Sequence, residues 1–98
     1  MTTEELISLE LFCSHQGVEL AFVHALHERG LLQITVVEDR SFVAPEVLPH
    51  IEKLARMHYE LDINLEGIEA ISHLLERMER LQSDMRAMHE RLRLYEEG

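Results

Sequence analysis

Apolar residues recur along the chain with two periods, and each change of period marks an element boundary. Leu6-Ile7 reads as a short strand, and Ser8 is a good N-cap for a short helix carrying Leu9, Leu11, Phe12 and Cys13. Gly17 breaks that helix. A second amphipathic stretch runs from Val18 to Arg29, with Leu20, Phe22, Val23 and Leu26 as its buried side. Gly30 then stands where a C′ glycine belongs. Two short helices joined by a glycine turn outline a helix-turn-helix.

The pattern then changes. Ile34, Val36 and Val37 form a strand, Glu38-Asp39-Arg40 a turn, and Phe42-Val43 a returning strand. This hairpin occupies the position of a wing. Pro45 fits the first turn of a third helix, because the N–H it lacks would be unpaired there anyway. Pro49 fits N1 of that helix's main body equally well. Ile51, Leu54, Ala55 and His58 follow at helical spacing. The core expected for this body comprises Phe12, Phe22, Leu26, Leu31, Phe42, Ile51 and Leu54.

Asn64 caps the last and longest helix. Ile71, Leu74, Met78, Leu81, Met85, Met88, Leu92 and Tyr95 recur at strict 3-4 spacing, an a/d seam sustained over nearly four heptads. Packing on the helix's own domain accounts for Ile68, Ile71, Leu74 and Leu75. It does not account for Met85 to Tyr95, where the stripe outruns the body. A second copy of the chain is the simplest cover, so the eight seam residues are the expected homodimer interface. The g positions are Arg77, Asp84 and Arg91; the e positions are Leu75, Gln82, His89 and Glu96. A parallel pair sets Arg91 against Glu96, whereas an antiparallel pair sets Arg77 near Arg91. The expected organisation is a winged body over residues 1–66 and a coiled-coil helix over 67–98.

Charge narrows the function. The chain carries 9 Lys+Arg against 19 Asp+Glu, a net charge of −10. Nucleic-acid affinity comes mostly from Lys and Arg neutralising phosphates, so this balance argues against a nucleic-acid partner. The first 43 residues hold only Arg29 and Arg40 as bases. The hydrophobic fraction of 46% is too high for a disordered chain. No stretch approaches the ~20 apolar residues of a membrane span. There is no cationic n-region followed by an apolar h-region, so no secretory leader is expected. A single cysteine, Cys13, suits a reducing compartment, and a cytoplasmic protein is the expectation.

No catalytic or cofactor chemistry stands out. His24 and His27 lie at i, i+3 on one helical face, but no paired ligand motif accompanies them, and no metal site is expected. The serines sit in no nucleophile-elbow or phosphate-loop context. The expectation is a protein that is not an enzyme and carries no cofactor.

The order of elements resembles the MerR-like winged helix proteins: helix-turn-helix, hairpin wing, two more helices and a terminal coiled coil. Gly30-Leu31-Leu32 looks like that family's G-L-L after the recognition helix. The resemblance departs where DNA would be read. The family's T-[IL]-R-[YF]-Y-E segment corresponds to Phe22-Val23-His24-Ala25-Leu26-His27, so His24 stands at the phosphate-contacting Arg. Gln33-Ile34-Thr35 replaces the usual P-x-R, and Glu38-Asp39-Arg40 replaces a basic wing.

The chain more nearly resembles the CbpM family, small MerR-like chaperone modulators of bacteria. The matching residues are Phe12-Cys13 with His15 and Gly17, Gly30-Leu31-Leu32, the strands around Phe42, and Glu60-Leu61-Asp62-Ile63-Asn64-Leu65 with Gly67-Ile68. That resemblance implies a mainly α, MerR-like winged helix-turn-helix. It implies that the chain binds the J domain of a DnaJ-like co-chaperone and restrains it, with no catalytic residue. It also suggests an antiparallel coiled coil, against the Arg77/Arg91 charges. The resemblance also implies that a J domain offers a basic helix to its chaperone partner, and an acidic chain complements such a surface. Glu19, Glu28, Glu38 and Asp39 are the candidate partner-binding acids. The alternative is a MerR-like transcription regulator that binds DNA.

Overall fold

In a computed structural model, residues 5–97 are described. Residues 1–4 of the expected body and Gly98 of the expected tail lie outside them. Strand β1 covers Ile7–Ser8, and Ser8 also caps helix α1, Leu9–Gln16, accepting from the Leu11 N–H at 3.3 Å. Gly17 closes α1 in the left-handed region. Helix α2 spans Leu20–Glu28. It starts two residues later than its apolar pattern suggests, because Glu19 is still extended and acts as the N-cap.

α2 ends in a Schellman turn. The Gly30 N–H donates to the His27 carbonyl and the Leu31 N–H to the Leu26 carbonyl. Gly30 sits at φ +78°, where a side chain would be strained.

The wing is a hairpin of β2, Thr35–Val37, and β3, Arg40–Val43. The turn has two residues rather than three, and Arg40 belongs to β3. Glu38 and Asp39 both take positive φ, 51° and 65°, as a type I′ turn requires. β1 pairs antiparallel with the other edge of β3, so the sheet order is β1-β3-β2. The strand before α1 is thereby tied to the wing, a pairing with no local signal.

Pro45 opens a separate 3-10 turn, Pro45–Val47. Helix α3 then runs Leu48–Tyr59 with Pro49 in its first turn. Helix α4, Leu65–Glu97, is 33 residues long, about 50 Å at 1.5 Å per residue. Asn64 caps it, its side-chain oxygen accepting from the Gly67 N–H at 2.8 Å. A Cβ on Gly67 would stand 2.7 Å from Ile63 Cγ2, so the cap closes only over a glycine.

The core sits between the sheet and helices α1, α2 and α3. Leu9, Val23, Leu26, Val43, Ile51 and Leu54 are fully buried, with Phe12, Cys13, Phe22 and Leu32 around them. Leu31 and Phe42, expected in this core, are only half-buried at its margin. Burial pushes the Cys13 thiol up. Phe22 stacks on His58 at 4.5 Å between ring centroids, and Tyr59 meets both rings edge-on. His58 donates from Nδ1 to the Ile63 carbonyl at 3.0 Å, fixing the turn between α3 and α4. The fold is mainly helical with a small antiparallel sheet, a winged helix-turn-helix carrying a long C-terminal helix.

α4 begins inside the body. Ile68 is fully buried among the core side chains, so the body's core does touch this helix. Ser72 is buried, and Ile71 and Leu75 are half-buried. From Glu76 to Glu96 every residue is exposed.

Candidate functional site

Among the described residues two surfaces stand out: the free length of α4, and the face built from α2 and the wing. On α4, Leu74, Met78, Leu81, Met85, Met88, Leu92 and Tyr95 are all more than half exposed. Ile71, the first position of the seam, is half-buried. A continuous line of large apolar side chains along two-thirds of a helix is costly to leave in water, and marks an interaction surface. Each Leu or Met withdrawn from water contributes about 1.5–3 kcal/mol.

The second surface is where a winged helix-turn-helix meets a nucleic acid. α2 buries Phe22, Val23 and Leu26. Its opposite face, at i, i+3, i+4 and i+7, carries Ala21, His24, Ala25 and Glu28. His24 Nε2 and Ser41 Oγ on β3 are hydrogen-bonded at 3.2 Å, which ties the helix to the wing. Val36 is the cross-strand partner of Ser41, so both side chains stand on the same face of the hairpin. Val36 is 62% exposed there.

The two bases of the winged region are engaged by the chain's own carboxylates. Arg29 donates from Nη1 to Glu69 Oε1 at 2.9 Å, and its Nη2 lies 3.6 Å from Glu66 Oε2. That clamp holds the end of α2 against the first turns of α4. Arg40 Nη2 lies 3.9 Å from Glu10 Oε1. The outward face of α2 has no cation.

The four candidate acids do not form one cluster. Glu19 lies at the start of α2, where its N–H donates to the Tyr59 hydroxyl at 3.1 Å. Glu28 ends α2, half a turn out of phase with Glu19. Glu38 and Asp39 form the wing tip. All four are exposed. Glu28 shares the His24 face, and Glu38 lies two residues beyond Val36 in the same hairpin.

His24 and His27 go to different partners: His27 donates from Nδ1 to the Leu32 carbonyl at 3.0 Å. Among the described residues no group of three or more His, Cys, Asp or Glu is gathered for a metal ion. No described helix is long and apolar enough to cross a membrane.

Residue reading alone missed Val36 and the Arg29 clamp. The i, i+3, i+4, i+7 spacing of Ala21, His24, Ala25 and Glu28 was available to it. The clamp joins residues 40 positions apart and left no local trace.

No curated protein and no solved structure matches the chain. A family model described as MerR HTH family regulatory protein matches residues 7–90. With a winged helix-turn-helix and a long terminal helix within that span, the chain belongs to the MerR helix-turn-helix regulatory family.

Proposed function

We propose that this member of the family is a non-enzymatic chaperone modulator. It binds the J domain of a DnaJ-like co-chaperone and restrains it, as a cytoplasmic homodimer joined along α4. The observation that carries this reading is the charge state of the winged face. Arg29 is clamped by Glu66 and Glu69, Arg40 lies exposed 3.9 Å from Glu10, and α2 turns no Lys or Arg outward. Phosphate contacts are what position a protein on a duplex, and among the described residues this face offers Arg40 alone as an exposed Lys or Arg to make them with. An acidic face favours a basic protein surface instead, such as the basic helix that the CbpM resemblance attributes to the partner. The exposed seam from Met78 to Tyr95 supports self-association, since a second copy presents a matching apolar stripe.

The test is a titration of the full chain with an isolated J domain. Binding is expected at low salt and weakens as salt rises, because the attraction runs between exposed charges. No binding at low salt contradicts the reading. The family's description as regulatory favours a second reading, a transcription regulator that binds DNA. Sequence-specific gel shifts with genomic fragments at low salt would establish that reading in place of the first.

A further inference from the structure

We propose that the cleft between α3 and the base of α4 binds a small zwitterion, a free α-amino acid whose apolar side chain ends in a hydrogen-bonding group. The site is separate from the winged face and independent of any protein partner.

Two helical faces of matching pattern form the cleft. His50, Lys53, Leu54 and Met57 stand at i, i+3, i+4 and i+7 on α3. Ser72, Leu75, Glu76 and Glu79 stand at the same spacing on α4. Leu31 closes one side, and the enclosed space is about 240 Å³. That is just under the usual range of ligand pockets, so the occupant is small. At about 100° per residue, the centre of this α4 face lies more than a quarter turn from that of the a/d seam. The cleft therefore makes no use of the seam residues.

Three contacts fix the walls. His50 donates from Nε2 to the Leu31 carbonyl at 3.0 Å. Arg29 fastens the end of α2 to Glu69 on α4 at 2.9 Å. His58 donates to the Ile63 carbonyl in the turn that joins α3 to α4. A cleft held open by its own frame needs little reorganisation to admit a ligand.

The floor calls for a polar group. Leu54 is fully buried, and Ser72 is 8% exposed with a hydroxyl that has no hydrogen-bond partner. Buried hydroxyls are nearly always bonded, because burial without a bond is costly. Leu31, Met57 and Leu75 are half-buried around this floor and give it apolar walls. A ligand that reaches Ser72 is therefore apolar along its length and polar at its tip.

The mouth carries both signs of charge on opposite walls. Lys53 on α3 and Glu76 and Glu79 on α4 are all exposed. Among the described residues none of the three is in an ion pair. A carboxylate is drawn to Lys53 and an ammonium to the two glutamates. A ligand with a single charge satisfies one wall and is repelled by the other, whereas the head of an amino acid satisfies both.

The experiment titrates the isotopically labelled full chain with L-tyrosine at low salt and follows the amide shifts. Three analogues each lack one group: L-phenylalanine the hydroxyl, tyramine the carboxylate and desaminotyrosine the ammonium. Tyrosine is expected to shift the Lys53, Met57, Ser72 and Leu75 amides and to raise the melting temperature. Phenylalanine is expected to bind about fivefold more weakly, and the two singly charged analogues about threefold. Ser72→Ala, checked for folding by circular dichroism, is expected to bind tyrosine and phenylalanine alike. The proposal is overturned if tyrosine leaves those amides unmoved, or if all four compounds act equally. A preference for tyrosine over phenylalanine that survives in Ser72→Ala also overturns it. So do shifts that appear only when Leu81→Asp and Met85→Asp are combined, because a second copy of the chain then fills the cleft.

Discussion

The first turns of α4 and the rest of the helix each carry an apolar stripe and meet opposite surroundings. Ile68 is sealed in the core and Leu75 is half-covered by the body. Met78, Leu81, Met85 and Met88 continue at heptad spacing on the same helix, yet all are more than half exposed. The body-facing stripe, Ile68, Ser72 and Leu75, also lies part of a turn away from the a/d seam. The helix thus carries two apolar faces. One is used within the chain, and the other is left for something outside it. Periodicity reports that a stripe exists; only the dimensions of the body decide what covers it.

The hardest way to break this comparison is on the covered side. Ile68→Asp buries a carboxylate with no partner in a site that is fully closed. It should cost several kcal/mol, comparable with the whole stability of a small domain, and a thermal melt should show loss of the cooperative transition. On the uncovered side, Leu81→Asp with Met85→Asp should leave the winged body folded. It should cost the dimer several kcal/mol, and light scattering should report a monomer with near-normal helicity in the body. A double variant that stays dimeric places the interface elsewhere. One that unfolds makes dimerisation obligate for the fold.

A smaller change sharpens the boundary between the two halves. Ser72 is buried, and its hydroxyl has no hydrogen-bond partner. Ser72→Ala removes that unpaired group and adds a better helix former. Stability should therefore rise by about 1–2 kcal/mol, read as a higher melting temperature. Ser83→Ala, on the exposed part of the same helix, should give only the few tenths of a kcal/mol that propensity alone supplies.

Local chemistry was legible in the sequence. Ser8 and Asn64 cap α1 and α4, Gly17 and Gly30 close α1 and α2, and the hairpin forms where the β-branched run lies. Each depends on residues within seven positions of one another. Features that join distant residues were not legible. β1 pairs with β3 across more than thirty residues, Arg29 is clamped by Glu66 and Glu69, and Ile68 completes the core. The candidate surfaces divide the same way. The α4 seam was readable because a heptad repeat is local. The face between α2 and the wing was not, since Val36 reads as an ordinary strand residue until its partner Ser41 is seen bonded to His24.

The most direct measurement is the rate at which the DnaJ-like co-chaperone drives its chaperone partner, followed as the full chain is added. A protein that occupies the J domain should return the rate toward its unstimulated level as it reaches excess. The effect should diminish at high salt. A stimulated rate unchanged by saturating chain at low salt would contradict the proposal that this acidic winged helix restrains a J domain.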